Sequence, residues 1–105
     1  MELDFTTAAR AFGDAYFNLI RRGADGSLKL SHDHWRLTEA TDDAFRFAPR
    51  EADAPPLEVR RADIARIVWD RLPKQQVRSQ LRFFLTNGDV WTFSGQVDES
   101  VLSQP

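Results

Sequence analysis

The sequence contains no cysteine among its 105 residues. Disulfide scaffolds, thiol catalysis and cysteine-ligated metal sites are therefore excluded. It also lacks any apolar run near the ~20 residues that a membrane-spanning helix needs. The first residues, Met1 to Asp4, are acidic and do not have the basic start and apolar centre of a signal peptide. We therefore expect a soluble, cytoplasmic protein.

A strong net charge is missing as well. The 14 Lys and Arg residues stand against 16 Asp and Glu residues, and the formal net charge is −2 at pH 7. This balance makes a nucleic-acid partner an unfavourable hypothesis. Hydrophobic residues make up 42% of the chain and aromatic residues 11%, which is typical of a folded protein. The length fits a single domain, residues 1–105, with one core.

The clearest predicted element is an amphipathic helix over residues 5–22. Apolar side chains recur there every three or four residues, which places them on one helical face. Asp4 or Thr6 is a suitable N-cap, because the side-chain oxygen of either residue accepts a hydrogen bond from a free backbone N–H, and Gly23 follows as a stop signal. The apolar positions are Phe5, Ala8, Ala9, Phe12, Ala15, Tyr16, Leu19 and Ile20.

After Gly26 the hydrophobic period changes to two, which predicts a β-meander over residues 26–95. The first two strands are predicted to form a hairpin that turns at His32-Asp33. The proline-containing segment 49–56 is predicted as a loop, because proline cannot sustain a ladder of backbone hydrogen bonds. Strands are predicted at 28–30, 35–37, 45–47, 57–59, 64–69, 81–86 and 89–94, and a short final helix at 97–103.

The last hairpin is predicted from Asn87-Gly88, the pair preferred in a two-residue type I′ turn. That turn pairs Leu85 with Val90 and Phe84 with Trp91. Both faces of the hairpin are then apolar, and one helix covers only one of them. Large exposed apolar surfaces usually mark interfaces. Phe84, Trp91 and Phe93 are therefore candidate interface residues for a protein partner or a homo-oligomer; the alternative is that a curved sheet buries both faces.

One helix followed by about seven antiparallel strands predicts an α+β fold, with the helix packed on a strongly bent sheet or small barrel. Over about residues 26–95 the chain resembles the pleckstrin-homology-like superfold, in its GRAM or bacterial PH-type form. The matching stretches are the Gly-led strand 26–31, the segment 56–64 (Pro-Leu-Glu-Val-Arg-Arg-Ala-Asp-Ile) and the hairpin 81–93. The resemblance implies a non-catalytic binding or adaptor module without a cofactor, whose ligand is a protein, a peptide or an anionic surface.

A second resemblance leads to a different class of function. A long N-terminal helix before a bent sheet is similar to the NTF2-like cone, which holds small molecules in an apolar pocket. Isomerase- or hydrolase-like chemistry would then use His34, Asp33 or Asp89 as acid or base. The sequence offers no phosphate loop, nucleophile elbow or His-Glu-x-x-His motif. We therefore expect a protein that is not an enzyme and keep the cone as the alternative.

Basic residues concentrate in the segment 60–82, which holds seven of them against two acidic residues. A positive stripe of this kind can contact an anionic membrane, nucleic acid or an acidic partner. Charged residues on an exposed strand also serve solubility alone, which is the plain alternative. The candidate contacts to an anionic surface are Arg66, Arg71, Lys74 and Arg78.

His32-Asp33-His34 contains the only two histidines of the chain. Two imidazoles and a carboxylate are suitable ligands for a divalent metal ion. No further protein ligand is identifiable in the sequence, and polar residues at a turn are ordinary. We therefore predict no metal site.

Overall fold

The computed structural model describes residues 1–51, 54–72 and 78–102, without the side chains of residues 31–33. A short 3-10 helix, Arg61–Asp63, joins the fifth strand to the sixth. The other elements, in chain order, are β1 (Glu2–Leu3), α1 (Phe5–Phe12), β2 (Phe17–Arg22), β3 (Leu28–Ala40), β4 (Ala44–Pro49), β5 (Leu57–Arg60), β6 (Ile64–Arg71), β7 (Ser79–Leu85), β8 (Val90–Gly95) and α2 (Glu99–Leu102).

These eight strands form one sheet in the order β1-β6-β7-β8-β2-β3-β4-β5, and every neighbouring pair is antiparallel. The sheet is not closed, because β1 and β5 lie at its two edges. The predicted α+β class with a many-stranded antiparallel sheet is thus confirmed. The strands predicted at 45–47, 57–59 and 64–69 lie within β4, β5 and β6.

The core is centred on Phe12, a fully buried residue at the end of α1. Its ring centroid lies between 5.1 and 5.9 Å from four phenylalanine rings on four different strands. The sheet therefore wraps around α1. We call the side that packs on α1 the inner face and the opposite side the outer face. The four rings belong to Phe17, Phe47, Phe83 and Phe93.

The predicted helix over residues 5–22 is wrong beyond Phe12. Gly13 ends α1 with a φ of 55° and donates its N–H to the carbonyl of Arg10. Continuing a helix through glycine would cost roughly 0.5–1 kcal/mol relative to alanine. The apolar residues that follow also fit a period of two, and as β2 they pair with strands on both sides. Phe17 and Leu19 are buried in that arrangement.

The predicted hairpin at His32-Asp33 is also wrong, because β3 runs as one strand from Leu28 to Ala40. Its register against β2 shifts between the pairs Ile20–Leu30 and Asn18–His34. One residue of β2 and three residues of β3 lie between these pairs. A bulge absorbs the extra residues, so that the polar segment continues in the sheet without a turn.

The β7–β8 hairpin is confirmed, but its turn is longer than predicted. The Leu85 N–H donates to the Asp89 carbonyl at 2.8 Å, and the Gly88 N–H donates to the Leu85 carbonyl at 3.0 Å. Residues 86–88 therefore form a three-residue loop. Gly88 has a φ of 94°, whereas Asn87 has no positive φ, so the type I′ turn is absent.

This turn shifts the predicted register by one residue. Phe84 pairs with Val90, and Leu81 pairs with Phe93. Leu81, Phe83 and Phe93 are all fully buried on the inner face, and Phe84 and Val90 lie on the outer face. The predicted division of the hairpin into two equally apolar faces is therefore wrong.

We predict that Phe12→Ala lowers the free energy of unfolding by about 3–5 kcal/mol, because it empties the centre of the core. Urea denaturation followed by tryptophan fluorescence measures this loss. Phe5→Ala is the matched control, since Phe5 is on the same helix but is only partly buried. An equal loss in the two variants would contradict the central position of Phe12.

The N-cap predicts a pH dependence of stability. The Asp4 Oδ1 accepts the Thr7 N–H at 2.7 Å, and this hydrogen bond holds the pKa of Asp4 below its ordinary value of 3.8. A lowered folded-state pKa stabilises the fold above pH 3.8 and ceases to do so as the pH falls below it. The difference in Tm between the wild type and Asp4→Ala should therefore shrink in acid. The exposed Asp42→Ala is the control, and a pH-independent difference for Asp4→Ala would contradict the prediction.

Candidate binding surface

The structure does not bring the predicted anionic-surface residues onto one surface. Arg66 is exposed on the outer face of β6, whereas Arg71 extends from the opposite side of the same strand. The Arg71 guanidinium forms an ion pair with Glu99 at 2.7 Å. Arg78 is exposed just before β7, and Lys74 lies outside the described residues. Arg66 is therefore the member of this set that lies on the outer face.

The three predicted interface residues are separated as well. Phe93 is fully buried in the core, so its assignment to a surface is wrong. Trp91 is partly buried on the inner face, where the Arg21 guanidinium carbon lies 5.4 Å from its ring centroid. Phe84 is partly exposed on the outer face. Only Phe84 keeps a place in an outer-face interface.

The residues named for a metal site or an acid–base pair are dispersed in the same way. The side chains of His32 and Asp33 lie outside the described residues, and His34 is half-buried on the outer face of β3. Asp89 lies at the β7–β8 turn, where its carboxylate accepts the Ala24 N–H at 3.0 Å. Within the described part of the chain, no three His, Asp or Glu side chains lie close enough together to bind a metal ion.

A cleft of about 360 Å³ opens between β5 and the β7–β8 turn. Val59, Leu85 and Trp91 supply its apolar wall, and Arg60 and Asp63 contribute charged groups at its margin. Such a volume is within the range of small-molecule sites.

The outer face carries two parallel rows of directly paired residues that cross five strands. The first row consists of Leu28, Arg22, Val90, Phe84 and Arg66, from β3 to β6. The second row consists of Leu30, Ile20, Thr92, Arg82 and Val68. Directly paired side chains on neighbouring strands contact one another. The two rows therefore place Arg22, Arg66 and Arg82 among apolar side chains on the outer face.

Three exposed aliphatic residues lie together at the β3 end of these rows, and we call them the outer patch. Ile20 is 39% exposed, Leu28 is 56% exposed and Leu30 is 62% exposed. Ile20 pairs directly with Leu30, and Leu28 is two residues away on the same strand and side. Scattered exposed leucines are ordinary, but three in contact form an apolar surface.

Aromatic stacking and an ion pair fix the arginines at the β6 end of the rows. The guanidinium carbons of Arg66 and Arg82 lie 4.6 and 5.6 Å from the ring centroid of Phe84. Arg82 also forms an ion pair with Asp70. Cations held over an aromatic face lose less freedom when they bind a ligand, because their side chains are already ordered.

Two carboxylates near the other end of the outer face share one arginine. Arg46 binds Glu39 at 2.7 Å and Glu58 at 2.8 Å. Hydrogen bonding to Glu39 and then to Glu58 raises the pKa of Arg46. With one guanidinium against two carboxylates, this triad keeps a net negative charge.

Sequence reasoning missed the outer patch because of two errors in secondary structure. The predicted helix placed Ile20 on the apolar face of a helix, and the predicted hairpin placed Leu28 and Leu30 on a strand that did not pair with Ile20. Their alternation with polar residues does show that they share one side of a strand. Which side faces solvent depends on the pairing of β2 with β3 and β8.

Comparisons of the chain with models of known protein families, with curated proteins and with solved structures each found no match. The helices of the described residues are too short and too polar to cross a membrane.

We predict that Leu28→Thr and Leu30→Thr, as single variants, each change the free energy of unfolding by no more than about 0.5 kcal/mol, because both side chains are exposed. Threonine keeps the preference for a strand. Leu19→Thr on the neighbouring strand is the control, and it should cost several times more because Leu19 is buried. Equal losses at the three positions, measured by urea denaturation, would show that the outer patch is part of the core.

Proposed function

We propose that the protein is a non-catalytic binding module of the PH/GRAM-like kind and that it docks on a partner protein through the outer face of its sheet. The observation that carries this proposal is the contact of Ile20, Leu28 and Leu30 on a surface where nothing in the described chain covers them. The centre of the inner face has no such role, because the rings around Phe12 fill it.

The free energy of the outer patch is lower when a partner covers it than when it is exposed to water. Removing apolar surface from water contributes roughly 25 cal/mol per Å² buried. The rows continue from the patch to aromatic and arginine side chains at their β6 end, and these are the residue types enriched in protein interfaces. Phe84, stacked with Arg66 and Arg82, is such a group. An apolar anchor at one end of the rows and ordered arginines at the other support a protein-binding surface.

The sheet edge beside the C-terminal helix is a less suitable docking place. The resemblance to PH-like domains implied peptide capture at such an edge, left open by a short final helix. In the structure, β1 pairs with β6 along that edge, and the Trp69 N–H donates to the Met1 carbonyl at 2.7 Å. We therefore place the docking surface on the face of the sheet instead of its edge.

A small-molecule function is the second candidate, and the cleft beside Trp91 favours it. An apolar wall with Arg60 and Asp63 at its margin matches the general form of a ligand site. A ligand in this cleft would change the fluorescence of Trp91. This response separates the NTF2-like alternative from docking on the outer face, which is on the opposite side of the sheet.

The proposal predicts the behaviour of peptides selected on the wild-type protein from a displayed random library. Their affinity should fall about tenfold or more for the Leu28→Thr/Leu30→Thr variant, because these apolar side chains are the anchor of the interface. Isothermal titration calorimetry with synthetic copies of the selected peptides measures the change.

The matched control for this experiment is Thr6→Ser, a small change at an exposed position of α1, which should leave the affinity unchanged. Circular dichroism and Tm establish that each variant is folded. Selected peptides that bind the wild type and the double variant equally would contradict docking on the outer face. If they quench Trp91 as well, the cleft is the binding site.

A further inference from the structure

Two exposed arginines of the outer face have no carboxylate partner in the described part of the chain. Arg22 is next to the outer patch and pairs in register with Leu28 and Val90. Arg66 lies at the opposite end of the same row and stacks on Phe84. The four ion pairs found among the described residues involve other arginines. These two cations are therefore available to an external anion.

The spacing of the two arginines is set by the sheet. Val90 and Phe84 stand between Arg22 and Arg66 in the first row, so the two arginines are three strands apart. With strands ~4.8 Å apart, this separation is ~14 Å. A ligand that engages both must present two anionic groups at about this distance with an apolar stretch between them.

The choice of arginine over lysine indicates the kind of anion. Only two of the 14 basic residues are lysines, Lys29 and Lys74. Lys29 pairs with Arg21 on the inner side of the sheet, and Lys74 lies outside the described residues. A guanidinium presents a planar fork that matches a carboxylate through two hydrogen bonds, whereas a membrane surface attracts either cation through its charge. The residue types therefore favour carboxylates in a fixed geometry.

A second copy of the chain is a poor occupant of this surface. Two outer faces in contact would bring four unpaired guanidinium groups into one apolar interface. Like charges that lose water without gaining a partner oppose association. Self-association through the outer patch is therefore disfavoured by the same residues that favour an acidic partner.

We infer that the partner is a protein segment with two carboxylates that Arg22 and Arg66 bind, an apolar stretch between them that covers Val90 and Phe84, and a further apolar group beyond the Arg22 end that covers the outer patch. This inference rests on the proposed function and names the chemistry of its partner. The first row determines how the segment is aligned on the outer face, because Arg22 and Arg66 have fixed positions in that row.

The test uses the peptides selected on the wild-type protein, together with the variant Arg22→Lys/Arg66→Lys. We expect the selected sequences to be enriched in Asp and Glu on both sides of apolar residues. Their affinity should fall about tenfold or more in this variant, which keeps the charge but loses the bidentate geometry. Arg10→Lys/Arg61→Lys is the matched control: both residues are exposed and lie outside the outer face and the cleft, so this variant should bind like the wild type.

Other ligands of the outer face, a membrane or a second copy of the chain, would give different results. A membrane as the ligand is tested by co-sedimentation with phosphatidylcholine vesicles that contain phosphatidylserine. If this co-sedimentation is unchanged by Arg22→Lys/Arg66→Lys but lost in Leu28→Thr/Leu30→Thr, the ligand is a membrane and the inference is overturned. Dimerisation that requires Leu28 and Leu30, seen by analytical ultracentrifugation, would overturn it in favour of a second copy. Selected peptides without acidic residues would overturn it and leave the proposed function standing. The proposed function itself fails if no binding depends on Leu28 and Leu30.

Discussion

The packing of one phenylalanine ring against four others is the interaction on which the rest of the structure depends. Phe12 brings together rings from β2, β4, β7 and β8, which are distributed along most of the sheet. A flat sheet cannot place four such strands around a single side chain. The sheet bends so that its apolar side closes on a helix of only eight residues. Burial of the inner face therefore decides which side chains remain on the outside.

Formation of the core consequently also determines which side chains lie on the outer face. Alternation along a strand assigns each residue to one of the two faces. Once Leu19 and Phe93 are inside, Ile20 and Thr92 must be outside. The outer patch and the arginine rows are thus ordered by the same pairing that builds the core. A binding surface on strands of this kind is preorganised, because the backbone hydrogen bonds fix the positions of its side chains.

Much of the strand content followed from local pattern. Phe45 and Phe47 alternate with polar residues, and both are buried on β4 as that alternation predicts. Asn87-Gly88 located the last hairpin, although the loop begins one residue earlier than predicted, which changes every cross-strand pair. The segment after Gly13 was predicted in the wrong class. Its apolar residues satisfy a helical and a strand period at once, and only the pairing with β3 and β8 selects the strand.

The sequence by itself determined the α+β class, the positions of most strands, the start of α1 near Phe5 and the absence of cysteine chemistry. These features depend on composition and on residues close in the chain. The tertiary structure alone decided the end of α1, the unbroken course of β3 and the place of Phe84, Arg22 and Arg66 in one row. Those features depend on register between strands far apart in sequence. A shift of one residue exchanges the inner and outer faces, and local propensity cannot choose between the two registers.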